Sequence, residues 1–237
     1  MKSKIAFLFP GQGTVPNHLP PGGKRSEELL GLAAQAGIPI GKWLQGGNSS
    51  RLSQTEFAQP AIFIDSTSKD ETLRSRGIIP SVVAGHSLGE YAALVSAGVL
   101  TPEPALKVVI RRGHLMGQVC GGGMAAILKL SCEEVQAVCG RIGDGVSMAN
   151  INGPTQIVIS GDEGALEHAM AACEELGGHA IRLNVSGPFH SPRLAPSQAN
   201  LAPLIEEVVF HFPTAAYVSS VSGLMEEDPA AIKDLRS

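Results

Sequence analysis

Short apolar runs alternate along the chain with stretches of helical spacing, the pattern of an α/β protein. Ile5–Phe9 reads as a buried strand closed by Pro10-Gly11. Thr14–Gly23 is rich in Pro and Gly and reads as a loop. Ser26–Ala36 and Gln59–Arg76 carry apolar residues at helical spacing, the first behind Ser26 as N-cap and the second ending before Gly77. Ser81–Ala84 is a strand, and the helix that follows it stops at Gly98, a natural left-handed terminator. Thr101-Pro102-Glu103 then opens another helix, with Thr as cap and Pro in the first turn, running to Val119.

Cys120-Gly121-Gly122-Gly123 reads as a flexible joint, and the pattern changes after it. Strands over Met124–Leu130, Val146–Ile151, Gln156–Ser160 and His179–Val185 are interleaved with helices over Ser131–Cys139 and Asp162–Leu176. That β-α-β-β-α-β order is the ferredoxin-like unit. The chain returns through Gly187-Pro188-Phe189-His190, a helix around Pro196–Glu207 and a strand around Ala216–Val221. The expected organisation is an α/β core with a parallel sheet over 1–123 and 186–237, with a ferredoxin-like subdomain over 124–185 inserted in it.

Composition narrows the function classes. The 237 residues are 43% hydrophobic and 17% charged, values typical of a globular protein. A net charge of −4 with no basic stripe argues against nucleic-acid binding. No apolar stretch reaches a membrane span, and Pro10-Gly11 interrupts the first apolar run too early for a signal peptide. The four cysteines, Cys120, Cys132, Cys139 and Cys173, form no C-x-x-C pair and read as reduced thiols in a cytoplasmic protein. There is no metal-ligand motif, dinucleotide fingerprint or P-loop.

The chemistry concentrates in Gly85-His86-Ser87-Leu88-Gly89. A Ser between two glycines at a strand-to-helix turn is a nucleophile elbow, so the pattern points to acyl transfer through Ser87. The N–H after the nucleophile and the helix N-terminus face the same space, where an oxyanion develops. A nucleophilic Ser needs a base. Of seven histidines, His18 lies in the Pro-rich loop, His114 and His168 in helices, His179 beside a Gly pair and His211 at a strand edge. His86 is too close to Ser87 in sequence to act on it and is read as tethering the loop or lining the pocket. His190 stands in a loop framed by Gly187-Pro188 and Ser191-Pro192 and is the candidate base.

Two further residues carry open alternatives. Arg112 falls on the apolar side of its helix with Ala105, Val108, Val109, Leu115, Met116 and Val119. An inward Arg needs a carboxylate, either Glu90 or Glu56 of the chain itself or a free carboxylate on a substrate, which it would clamp bidentately. Gln12, in Phe9-Pro10-Gly11-Gln12-Gly13, sits either in a second oxyanion loop or in a plain turn.

Together these motifs resemble the malonyl-CoA:acyl-carrier-protein transacylases of fatty-acid and polyketide synthesis. The resemblance rests on Phe9-Pro10-Gly11-Gln12-Gly13, Gln59-Pro60-Ala61, Gly85–Tyr91, Arg112-Gly113 and Gly187–Ser191, and runs from about Ile5 to Val221. It implies that Ser87 is acylated with His190 as base, and that the backbone N–H groups of Gln12 and Leu88 hold the oxyanion. It also implies that Arg112 binds the malonyl carboxylate, with His86, Phe189, Gln59 and Asn152 as further substrate-binding positions. Phe189 and Leu88 match malonyl-type rather than methylmalonyl-type motifs of the family. The implied reaction is ping-pong, from malonyl-CoA to the phosphopantetheine thiol of an acyl carrier protein, by a monomer that needs no cofactor.

The chain departs from the family in two places. Thr14-Val15-Pro16-Asn17-His18 replaces the usual residues after Gly-Gln-Gly, and the C-terminal part of the family fold, which orients the catalytic His, is expected to be absent beyond Ser237. Other readings stand beside transfer: a serine thioesterase or hydrolase with Asp144 or Asp162 as orienter, malonyl transfer to a malonate decarboxylase carrier subunit, and a truncated, non-catalytic carrier-binding form.

Overall fold

The computed structural model describes residues 4–13, 23–45 and 49–235. The loop expected over Thr14–Gly23, apart from Gly23, lies outside them, and so does His18. In chain order the elements are β1 (Ala6–Phe9), α1 (Lys24–Gln35), α2 (Ile40–Gln45), α3 (Thr55–Ser75), β2 (Val82–Gly85), α4 (Gly89–Ser96), α5 (Pro102–Gly117) and β3 (Gly123–Leu128). They continue as α6 (Cys132–Ile142), β4 (Val146–Gly153), β5 (Gln156–Gly161), α7 (Glu163–Glu175), β6 (His179–Arg182), α8 (Ala195–Glu207), β7 (Ala216–Val218), β8 (Met225–Glu226) and α9 (Pro229–Asp234). Short 3-10 helices occupy Ser49–Ser53 and Pro192–Leu194. Among the described residues no helix is long and apolar enough to cross a membrane.

The chain divides into two compact units, Met1–His114 with Ala199–Ser237, and Leu115–Gln198. The first unit holds a four-stranded sheet in the order β1-β2-β7-β8. β1, β2 and β7 are parallel, with Phe9 level with Gly85 and Ala84 level with Val218. One face buries Phe9, Val83 and Tyr217, the face on which α4 packs against β1 and β2. The opposite face carries Leu8 and Met225, both well exposed. The long helix α3 packs on α4 and buries Ala61, Ile62, Phe63 and Ile64.

Three expectations for this unit change. The strand expected over 216–221 ends at Val218, and the chain turns through Ser219–Leu224 into β8, which pairs antiparallel with β7 and makes the sheet mixed. Ser26 is not an N-cap: α1 begins two residues earlier, after Gly23, and the buried Ser26 hydroxyl shares a short hydrogen bond with Ser68 of α3. His211 lies outside any strand, in the segment between α8 and β7.

The second unit is an antiparallel sheet in the order β4-β5-β3-β6. One face, Ala125, Ile127, Ile157 and Ile159, meets Val135 and Val138 of α6 and Leu166 and Ala169 of α7. The other face, Met124, Ala126 and Val158, packs with Met116 and Phe189. Ser131 caps α6 in a reciprocal capping box with Glu134. The glycines of the expected joint are positions of close approach: Gly121 has φ +81°, and the Gly161 carbonyl leaves no room for a side chain on Gly122. The range 124–185 lies inside this unit, which also takes in 115–123 and 186–198.

Candidate active site

β2 is flanked on both sides by parallel neighbours, so its carboxyl end opens between the turns after β1 and β7, where α/β sheets place their ligands. Ser87 stands in the turn leaving β2 with φ +51°, a left-handed conformation that non-glycine residues adopt only when the surroundings enforce it. The surroundings here are the two glycines. A side chain on Gly85 would overlap the Gly89–Glu90 peptide, and one on Gly89 would overlap the Phe9 carbonyl. The His86 N–H donates to that same Phe9 carbonyl at 3.0 Å, and Gly89 N–H returns to the His86 carbonyl at 2.9 Å. His86 lies against Gly11, where a Cβ would stand 2.7 Å from its Nδ1, so it braces the turn after β1.

Leu88, the next residue, is buried and precedes the first turn of α4, whose N-terminus supplies positive potential at the Ser87 turn. Gln12 sits in the turn after β1, and its side-chain Nε2 donates to Thr55 Oγ1 at 3.1 Å, tying this turn to the start of α3.

Arg112 reaches Ser87. Its Nη1 donates to Gln59 Oε1 at 2.7 Å and its Nη2 to Ser87 Oγ at 3.1 Å. The two glutamates weighed as its partners have other neighbours. Glu56 pairs with His114 Nδ1 at 2.8 Å, and the buried Glu90 accepts from the Tyr217 hydroxyl at 2.6 Å and from the Ser220 N–H at 2.9 Å. Ser87, Arg112, Gln59 and the Gln12 turn are thus brought together in the first unit.

Three predicted site residues lie in the second unit. Asn152 is in β4, and Phe189 is buried against Met116, Met124, Ala126 and Val158. His190 follows with φ +57°, left-handed like Ser87. Its turn is stapled by Ser191, whose hydroxyl donates to the Pro188 carbonyl at 2.6 Å and accepts from Arg193 N–H at 3.3 Å. Asp144 and Asp162 are in this unit too, Asp162 ending β5's exit and standing as the residue before α7. Among the described residues no three His, Cys, Asp or Glu side chains gather to hold a metal.

Sequence reasoning missed Thr55 and Tyr217. Thr55 precedes the apolar spacing from which that helix was read, so α3 begins four residues earlier than expected. Tyr217 is one aromatic in a short strand and finds Glu90 only through the fold.

Comparison with known proteins shows the family. An acyl transferase domain family matches residues 24–233. The malonyl CoA-acyl carrier protein transacylase of Bacillus subtilis is 36% identical over 247 residues, covering 98% of this chain and 77% of that protein. Polyketide synthase GfsA of Streptomyces halstedii is 36% identical over 234 residues, which span 93% of this chain and 3% of the synthase. Among solved structures, an acyl carrier protein S-malonyltransferase from Vibrio cholerae superposes with a TM-score of 0.90 at 35% identity, over 99% of this chain and 80% of that one. A malonyl-transacylase in complex with its type II polyketide-synthase acyl-carrier protein, PlMCAT:AntF, superposes with a TM-score of 0.90 at 32% identity, over the same shares.

Proposed function

This chain belongs to the acyl transferase family, and from that premise we propose that it moves a malonyl group from malonyl-CoA to the phosphopantetheine thiol of an acyl carrier protein. The observation that carries the proposal is the approach of Arg112 to Ser87 Oγ at 3.1 Å, with Gln59 anchoring the same guanidinium. A hydrolase elbow needs a nucleophile and an oxyanion site; a cation held beside the nucleophile adds a site for an acyl group that ends in its own carboxylate.

In the reaction, Ser87 Oγ attacks the thioester carbonyl carbon as His190 accepts the hydroxyl proton. The Gln12 and Leu88 N–H groups receive the oxyanion, each donor worth on the order of 10²–10³ in rate. The C–S bond breaks, and His190 returns the proton to the CoA sulfur. The carrier thiol then attacks the malonyl ester, giving its proton to His190, and Ser87 leaves as its hydroxyl. One thioester replaces another, so the step requires no cofactor. His86, Phe189 and Asn152 are assigned to the pocket wall around the acyl group.

We read the Ser87 turn as a nucleophile elbow, supported by its φ and by the crowding at Gly85 and Gly89. The β3–β6 sheet is read as a ferredoxin-like subdomain over 124–185, set in a hydrolase-like core over 1–123 and 186–237. The β4-β5-β3-β6 order with two helices on one face supports that reading. Four unpaired cysteines favour a cytoplasmic setting.

The test is the intact mass of the protein after incubation with malonyl-CoA. A gain of one malonyl group in the native chain and none in Ser87→Ala supports the assignment, with discharge on adding a holo acyl carrier protein. Loss of the label to free malonate without a carrier indicates a hydrolase, and no label in the native chain overturns catalysis.

A further inference from the structure

α5 meets the first turns of α3 beside Arg112, and two residues stand at that contact. Pro60 stands inside α3 and has no N–H, so the Glu56 carbonyl lacks its helical donor. A carbonyl released from the ladder tilts away from the helix axis. Gly113, next to Arg112, faces that carbonyl: a Cβ on it would stand 3.0 Å from Glu56 O, 3.3 Å from Thr55 O and 3.4 Å from Gln59 Cβ. The first two are backbone atoms of α3 and have no rotamer with which to yield. In glycine a hydrogen stands in place of the Cβ, so this contact does not arise. On the exposed side, His114 Nδ1 closes the same crossing on Glu56 Oε1 at 2.8 Å. Three successive residues of α5 therefore each meet the first turns of α3: Arg112 at Gln59, Gly113 at the Glu56 carbonyl and His114 at the Glu56 carboxylate.

We propose that Pro60 and Gly113 are specificity-determining positioning residues, which set the depth to which Arg112 enters the acyl pocket and thereby the preference for an acyl group with a terminal carboxylate. This rests on the reading of Arg112 as the carboxylate site. Neither residue touches the acyl group; both act through the spacing of α3 and α5. A displacement of a few tenths of an ångström at Gly113 is passed to the adjacent residue, and the Arg112–Ser87 separation of 3.1 Å has little slack.

The experiment compares initial rates of Ser87 loading from malonyl-CoA and acetyl-CoA by intact mass, for Gly113→Ala in the native and Arg112→Ala backgrounds. Gly113→Ala lowers the malonyl-to-acetyl ratio by about tenfold in the native background. It leaves the ratio unchanged once Arg112 is gone. Equal loss of both thioesters, or a ratio shift that persists in Arg112→Ala, overturns the proposal. If Arg112→Ala alone leaves the ratio unchanged, the carboxylate reading itself fails, an outcome separate from an inert Gly113. Pro60→Ala guards against misfolding. It returns an N–H to the Glu56 carbonyl and draws it back into α3, so the ratio falls while the unfolding midpoint holds or rises. A Pro60→Ala protein that keeps the native ratio also counts against the proposal.

Discussion

Tyr217 and Glu90, 127 positions apart, share a 2.6 Å hydrogen bond inside the first unit. Tyr217 is fully buried and Glu90 nearly so. The bond joins the middle of β7 to the first turn of α4, one turn after Ser87, and Ser220 N–H adds a second donor to the same carboxyl at 2.9 Å. Tyr217→Phe removes one of these donors from a buried acceptor, at an expected cost of about 2 kcal/mol in denaturant unfolding. Glu90→Gln keeps an acceptor oxygen for both donors, whereas Glu90→Leu orphans both, so Gln is expected to be the milder change. Equal midpoints for Gln and Leu would show that the pair contributes nothing beyond filling space.

The Ser87 turn stores strain, and relaxing it is measurable. Ser87 holds φ +51° because Gly85 and Gly89 leave the turn no other course. Alanine in that place keeps the left-handed penalty, while glycine does not have it. Part of the gain is offset by the greater freedom of glycine in the unfolded chain. Ser87→Gly is therefore expected to exceed Ser87→Ala in stability by about 1 kcal/mol, although both abolish loading. A Gly variant no more stable than the Ala variant would mean that the turn is not strained.

The parts of this fold that can be read from sequence are those with a local signature. Gly85–Gly89 carries its own steric requirement, and the capping box at Ser131 and Glu134 lies within four residues. Arg112 stands out because a charge among apolar positions is costly. What sequence leaves unread is decided by partners far along the chain. Ser26 looks like a cap until Ser68 is brought beside it. β8 is two residues long and too short to show a period. Arg112 finds Gln59, 53 positions away in sequence yet one hydrogen bond away in space. Glu56 is a sensible partner by charge, yet its carboxylate pairs with His114.

The His190 turn has a staple that can be removed without touching the imidazole. Ser191 Oγ donates to the Pro188 carbonyl at 2.6 Å and caps the 3-10 helix that follows, while His190 itself is left-handed at φ +57°. Loss of a capping hydroxyl costs about 1 kcal/mol. On the proposed role of His190 as base, that cost expressed as its misplacement slows loading from malonyl-CoA about fivefold for Ser191→Ala, with Ser191→Thr close to native. Stopped-flow release of CoA measures this rate. Matching rates for Ala and Thr would remove Ser191 from any positioning role.

The four thiols should separate cleanly by reactivity, with a consequence for the loading assay. Cys120 is exposed, whereas Cys139 and Cys173 lie in the core between α6, α7 and the second sheet. Burial pushes the Cys139 thiol up to about 11, assisted by Cys173, and burial likewise raises Cys173. At pH 8 a thiol with that pKa holds roughly one part in a thousand as thiolate, the reactive form. Iodoacetamide is therefore expected to label Cys120 first and to spare Cys139 and Cys173 until the protein unfolds, as peptide mapping would show. The sign follows from burial: raising the pH toward 11 increases Cys139 labelling only as far as the core admits the reagent. Cys139 labelled as fast as Cys120 in the folded protein would contradict its burial. Cys120 is also the one cysteine of the four whose exposure opens it to chemical acylation by a CoA thioester. Cys120→Ser thus tightens the mass experiment, because any malonyl group retained by Ser87→Ala in that background has to sit on a nucleophile other than Ser87 or this thiol.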